Sequence, residues 1–435
     1  MRISLPTLCA MVTMAFLPLQ AATLETKPAG EAFAKFEPIK APSYDSLLLK
    51  KNDRLAIIGD SITEQKIYSR IIETYITVCL PELQITSRQY GWSGETAEGF
   101  KKRMANDCLR FKPTIATLCY GMNDHRYKPY DEMVATWYRD NYGAVAQGLK
   151  EAGARVVIGS PGPVGKMPSW VKTASGTVED LNLNLCAFRN IVIALAQKLD
   201  VRFADVFWPM YTGFWAAKER YGQDYEVPGK DGVHPDQAGH VIMAYAFLKG
   251  LGCPGDIGTI TVDLSTHTAN ATAGHQVTGV AGETITVVSS RYPFCATGPL
   301  DKHSSQRSGM TLVPFNSELN RLVLVAKNGT ANKYSVTWGS ESRTYTAAQL
   351  QAGVNLADDF AVNPFSAAFK NVDDAVFKKQ TYETEQIKKR FHGADGKANM
   401  EKTVTDTEAI RAPLADAIRT ALVPVTHIIT VIPAL

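Results

Sequence analysis

Arg54-Leu55-Ala56-Ile57-Ile58-Gly59-Asp60-Ser61 is a short apolar run that stops at a Gly-Asp-Ser turn. A run this short, aliphatic and closed by glycine, predicts a strand buried on both faces. A helix is expected to follow from about Glu64 to Leu80, which places the Ser61 hydroxyl in the field of a helix N-terminus. The same rhythm returns downstream. Strands are expected at Gln84 to Tyr90, Thr114 to Tyr120, Arg155 to Ser160 and Val201 to Val206, and helices at Thr96 to Phe111, Met133 to Glu151 and Leu181 to Leu199. Strands alternating with helices of this length predict an α/β fold with a parallel sheet covered on both faces. Ligands of such sheets sit at the carboxyl ends of the strands, where loops converge and helix N-termini point.

Three further motifs follow predicted strands or lie in late loops: Gly94 within Trp92-Ser93-Gly94-Glu95, Asn123 within Gly121-Met122-Asn123-Asp124, and Asp231-Gly232-Val233-His234. Acyl transfer needs a hydroxyl that loses its proton as it attacks, a base to take that proton, and donors for the negative oxygen of the transition state. Ser61 supplies the hydroxyl. A histidine three residues after an aspartate can fold back so that the carboxylate accepts from Nδ1 and Nε2 is left for the serine, which makes His234 the base and Asp231 its orienting carboxylate. Asn123 offers an amide donor that does not titrate, and Gly94 a backbone N–H with no Cβ in the way. The bland alternatives are a turn at Asp231-Gly232, a loop glycine at Gly94 and a helix N-cap at Asn123 or Asp124. The sequence around Ser61 is not the Gly-x-Ser-x-Gly elbow of the α/β-hydrolases.

Taken together, Gly59-Asp60-Ser61, Gly94, Asn123 and Asp231-x-x-His234 resemble the four blocks of the SGNH hydrolases, also called GDSL esterases and lipases, in the family's order. The resemblance covers roughly Asp53 to Leu251. It implies the flavodoxin-like three-layer form of the parallel sheet, a catalytic set of Ser61, Asp231 and His234, and an oxyanion hole built from Ser61, Gly94 and Asn123. It also implies a serine carboxylic ester hydrolase. Trp92, His125 and Arg126 are weaker candidates for substrate contact. His240 is expected to be structural, and the aromatic stretch of Trp208, Tyr211, Trp215 and Tyr225 is either a substrate wall or a core edge.

With 435 residues the chain exceeds what one core usually organises. Residues 1–22 read as a secretory signal peptide and 23–50 as an exposed leader. Residues 51–254 form the predicted catalytic domain. A Thr- and Val-rich stretch with strand alternation, 255–360, predicts a small antiparallel β-rich unit, and 361–435 a helical C-terminal region ending in a strand-like run, Ile428 to Ile432. A hydrophobic content of 45%, charge of 20% and formal net charge of +3 suit a soluble globular protein and give no reason to expect nucleic acid as a partner. No stable membrane span is expected after signal cleavage. No Cys-x-x-Cys or His-Glu-x-x-His occurs, so no metal is expected, nor any other cofactor. The six cysteines of the mature chain allow 15 pairings, and neither pairing nor oligomeric state can be read from sequence. Export, the appended β unit and the aromatic residues favour acetyl esters of carbohydrates as substrate. The alternatives are longer acyl chains, as for a lipase, lysophospholipase or thioesterase, and a glycan-binding protein on a degenerate hydrolase scaffold.

Overall fold

The structure is a computed structural model that describes residues 23–434; the expected signal peptide lies outside the described residues. Five strands, β1 (Arg54–Gly59), β2 (Thr86–Gln89), β3 (Ile115–Cys119), β4 (Arg155–Gly159) and β5 (Arg202–Ala204), form one parallel sheet in the order β2-β1-β3-β4-β5. Period-two geometry sends Leu55 and Ile57 into one core and Ala56 and Ile58 into the other, so every aliphatic residue of the opening run is buried. Burying each large aliphatic side chain contributes about 1.5–3 kcal/mol. Helices cover both faces. On the side of Ile57 lie Tyr68–Cys79, Phe207–Tyr221 and Gln237–Gly250, and opposite them Ala97–Asp107, Glu132–Glu151 and Val178–Leu199. This is the α/β architecture that the strand and helix rhythm predicts.

The helix expected from Glu64 to Leu80 is broken in two. A single turn, Ser61–Glu64, is separated from Tyr68–Cys79 by Gln65-Lys66-Ile67, with Lys66 in the left-handed region at φ 57°. Ser61, directly after β1, lies at the carboxyl edge of the sheet. Residues 23–50 also depart from expectation. Phe33 and Phe36 are buried, the Phe36 ring lies tilted 4.7 Å from that of Tyr211, and the Ala32 carbonyl accepts from the Tyr211 hydroxyl at 3.0 Å. The segment therefore covers the Phe207–Tyr221 helix, whose aromatic stretch is a core edge and not a substrate wall.

Beyond Gly255 the chain builds two smaller sheets. The first pairs β13 (Val354–Asn355), β10 (Arg321–Lys327), β6 (Asp256–Asp263) and β7 (Thr268–Ala271) in that order, and β10 runs parallel to β6, so this β unit is mixed and not purely antiparallel. The second is antiparallel throughout, in the order β12 (Glu341–Thr346), β11 (Lys333–Trp338), β14 (Val425–Pro433), β9 (Thr284–Ser289) and β8 (His275–Ala281). Its middle strand is the end of the chain. Ile429 and Val431 of β14 bury against Ile285, Val287, Val336 and Trp338, so the strand cannot leave without opening that core.

Of two long helices that follow, Ser366–Glu385 packs on the Tyr68–Cys79 helix and β2 of the first domain and in turn carries Met400–Ala421. A buried charge network fixes the first of them. The Lys379 ammonium meets Glu73 at 2.9 Å and Glu383 at 3.0 Å and donates to the Ser87 carbonyl at 2.6 Å, while Arg411 meets Glu383 at 2.7 Å. Lys379, Glu73 and Glu383 are each at most 5% exposed. Charges so placed are tolerable only because each is paired and hydrogen-bonded, and the pairs cross from the C-terminal region to β2 and its flanking helix.

Candidate active site

Ser61 opens its helical turn directly after β1. Asp60 caps that turn, its Oδ1 accepting from the Ile62 N–H at 2.9 Å. The Ser61 hydroxyl lies 2.8 Å from His234 Nε2, and His234 Nδ1 lies 2.7 Å from Asp231 Oδ2. Because Asp231 faces Nδ1, the tautomer that donates there leaves Nε2 as the acceptor for the serine proton. The second oxygen of Asp231 accepts from the backbone N–H groups of Val233 and His234 at 2.9 and 2.8 Å. Partial burial pushes this carboxyl upward, but those two N–H groups and the imidazole outweigh it and hold Asp231 below the usual carboxylate range. The turn needs Gly232: its φ is +83°, and a Cβ there would sit 2.6 Å from the backbone nitrogen of Lys166. Gly165 in the same neighbouring loop donates to the Gly232 carbonyl at 2.8 Å.

The loops after β2 and β3 bring further hydrogen-bond donors. Asn123 Nδ2 donates one hydrogen to the Glu95 carbonyl at 3.0 Å, which leaves its other amide hydrogen unassigned, and Asn123 Oδ1 accepts from the Tyr127 hydroxyl at 3.2 Å. The amide is thereby pinned at both ends. Gly94 sits at φ +74° with nothing within 4 Å of the position a Cβ would take, so its backbone faces open space in a conformation that favours glycine. Behind this loop, the Glu95 carboxylate is gripped by Arg103 at 2.6 and 2.7 Å and by the Tyr120 hydroxyl at 2.6 Å. Asp124 is fully buried and accepts from the Ala97 and Gly121 N–H groups, both at 2.9 Å, which joins the Gly94 and Asn123 loops. Burial, reinforced by neighbouring carboxylates, raises both Asp60 and Asp124 to about 7.

The remaining sequence candidates fall behind this front. Trp92 is packed: Arg103 and Lys388 lie 5.1 and 5.3 Å from its ring, and His392 meets it edge-on at 5.0 Å. Its ring supports the Gly94 loop. His125 is 1% exposed; burial lowers it to about 4, and its neutral ring meets the Met122 carbonyl through Nδ1 at 2.5 Å. It braces the Asn123 turn from behind. Arg126 stacks 5.2 Å from Trp137 and lines a cleft of 400 Å³ with His125 and Tyr130. Arg126 and Tyr127 both hold positive φ, a tight reversal directly after the asparagine. His240 is structural, accepting from the Tyr68 N–H at 3.3 Å and meeting Gln65 Oε1 at 3.0 Å.

Three contributors escape a reading of motifs. Trp170, 48% exposed, lies 5.8 Å from the His234 ring; its signal was the long Pro- and Gly-bearing loop after β4, on the carboxyl edge of the sheet. Tyr127 gave no signal. Lys388 comes from a π-helical turn, Gln386–Phe391, and meets Glu64 at 2.8 and 2.9 Å, while Glu64 accepts from the Ser93 N–H at 2.5 Å. Burial pushes Glu64 up, but Lys388 and the Ser93 N–H win, and its carboxyl lies below its ordinary value. All six described cysteines are buried and unpaired.

Residues 57–242 match the GDSL-like Lipase/Acylhydrolase family. The chain is 25% identical over 222 residues to an acetylxylan esterase of Geobacillus stearothermophilus, covering 46% of this chain and 94% of that protein. A solved structure described as a gut microbial diltiazem-metabolizing enzyme is 21% identical and covers 90% of this chain and 99% of its own, with a TM-score of 0.72. That likeness shows a shared fold extending well beyond the first domain. By its sheet and this family match, residues 57–242 form a GDSL-like lipase/acylhydrolase domain of the SGNH type, and the protein is a carboxylic ester hydrolase.

Proposed function

We propose that this protein is an exported serine esterase that removes short acyl groups, acetyl above all, from carbohydrates through an acyl-enzyme. The observation that carries the reading is the unbroken relay from Ser61 through His234 to Asp231, at 2.8 and 2.7 Å. In the first half-reaction His234 Nε2 takes the Ser61 proton as Oγ attacks the ester carbonyl. Asp231 holds the imidazole in the required tautomer and balances the imidazolium that forms. The free hydrogen of the Asn123 amide and the Gly94 N–H receive the developing oxyanion. Collapse of the tetrahedral intermediate expels the alcohol, which takes its proton from His234. Water then attacks the acyl-Ser61 with His234 again as base, releasing the acid and the free enzyme. The similarity to an acetylxylan esterase supports the acetyl and carbohydrate parts of the reading.

The test is hydrolysis of para-nitrophenyl acetate and para-nitrophenyl octanoate by wild type and Ser61→Ala. The expected result is rapid acetate release that the variant loses, with octanoate the poorer substrate. Equal rates for the two proteins overturn the serine mechanism, and a preference for octanoate overturns the short-acyl assignment.

A further inference from the structure

A cleft of about 850 Å³ lies where the first domain, the loop 295–307 and the Ser366–Glu385 helix meet. Ligand sites commonly occupy roughly 300–1,000 Å³. Its inner wall starts beside the relay. Gln65, whose N–H donates to the Ser61 carbonyl, and Gln237, three residues after His234, both line it. The outer wall is supplied by the C-terminal regions, and Ser61 and His234 do not themselves line the cleft, so a molecule whose ester group lies at Ser61 enters it by extending past Gln65 or Gln237.

The lining is chemically specific. Gln237 keeps a buried Oε1 with no hydrogen-bond partner among the described residues, an acceptor that wants a hydroxyl or amide hydrogen. Phe377 presents a ring that is 41% exposed, with the Arg70 guanidinium 4.9 Å from its centre. Four cations, Lys66, Arg70, Arg307 and Lys370, face two carboxylates, Asp373 and Asp374. Arg70 pairs with Asp373, and Lys370 with Asp374. Lys66 is spent on the Glu64 carbonyl at 2.5 Å. The Arg307 side chain, half-buried, makes no hydrogen bond or ion pair among the described residues. A guanidinium left idle in a cleft with surplus positive charge suits a carboxylate, which it can take in bidentate fashion.

We propose that this cleft binds the sugar chain that bears the ester and that the chain is acidic, a uronate-type glycan whose carboxylate is held by Arg307 and whose hydroxyls reach Gln237. The proposal rests on the esterase reading for the ester group and stands apart from it for the binding. The neutral alternative, a glycan without carboxylates, leaves Arg307 without a partner.

Two measurements separate these claims. The first compares kcat/KM for acetylated oligogalacturonate, acetylated xylo-oligosaccharide and para-nitrophenyl acetate in wild type, Arg307→Gln and Arg307→Glu. The expected result is a preference for the acidic ester in wild type, a loss of about ten-fold or more on it in Arg307→Gln and a larger loss in Arg307→Glu, with para-nitrophenyl acetate unchanged in both. The acidic preference should also weaken as salt is raised. A preference for the neutral ester, or variants that leave the acidic ester unaffected, overturns the proposal. The second is calorimetric binding of unacetylated oligogalacturonate to the Ser61→Ala protein and to the same protein carrying Arg307→Glu. Binding that the second change abolishes upholds the cleft even if no ester is turned over, and absence of binding to both overturns it.

Discussion

Two kinds of residue surround Ser61, those that exchange its proton and those that fix where charge develops. They predict different losses. Asp231→Asn leaves the turn in place but removes the carboxylate that selects the tautomer of His234, so kcat should fall by roughly 10⁴-fold. Asn123→Ala removes one donor from the oxyanion side and should cost about 10²–10³-fold in kcat with a modest change in KM. Steady-state kinetics on para-nitrophenyl acetate checks both, and an Asn123→Ala loss under about three-fold contradicts the assigned role. Asp60 predicts a pH effect on stability. Burial raises its folded-state value from 3.8 to about 7, so between these limits the native protein holds a proton that the unfolded chain has released. Stability from this group is therefore present at low pH and lost as pH rises through about 7. Asp60→Asn keeps the Oδ1 acceptor for the Ile62 N–H and removes the titration. Its melting temperature relative to wild type should rise between about pH 5 and pH 8, and a difference that stays constant contradicts the account.

Among the elements, the clearest lesson is the difference between what periodicity carries and what it cannot. The five strands of the main sheet stand within a few residues of where the sequence places them, most sharply β1, β3 and β4, whose aliphatic runs are buried on both faces and have one reading. The helix after Ser61 was legible as a helix but not as a broken one. The start of its second half is capped by His240, which is far away in sequence and accepts from the Tyr68 N–H. The four motif blocks announced themselves through residue type, whereas Trp170 is marked only by the Pro- and Gly-bearing loop that holds it, and Tyr127 and Lys388 act through position alone and carry no local mark. The π-helical turn that bears Lys388 exemplifies this, since such turns often mark functional segments yet have no sequence signature. Through Glu64 it reaches the Ser93 N–H and so the Gly94 loop. Lys388→Met should lower kcat about ten-fold, less than outright loss of an oxyanion donor, while KM and melting temperature stay near wild type. An unchanged kcat contradicts this link between the tail and the loop.

The whole molecule behaves as one interlocked body. Residues 23–50 looked like an exposed leader because they are rich in Lys, Glu and Pro, yet two phenylalanines are enough to anchor them on the Phe207–Tyr221 helix. The C-terminal strand-like run was visible in sequence, but its partners β9 and β11 lie about ninety or more residues earlier, and such long-range pairing leaves no local trace. The Lys379 network crosses between the same distant parts of the chain. Lys379→Ala leaves Glu73 and Glu383 facing each other without their shared cation and should destabilise the protein by about 3–5 kcal/mol, measured by urea denaturation. A loss under about 1 kcal/mol contradicts the idea that these charges weld the C-terminal helices to the first domain.

The central claim, that Ser61 carries the acyl group between the two half-reactions, is tested most directly by rapid acid quench of wild type during turnover of para-nitrophenyl acetate, followed by peptide mass spectrometry. One added acetyl group is expected on the peptide containing Ser61, absent from Ser61→Ala, which also ceases to turn over. Turnover that persists in Ser61→Ala, or an acetyl group found on another residue, contradicts it.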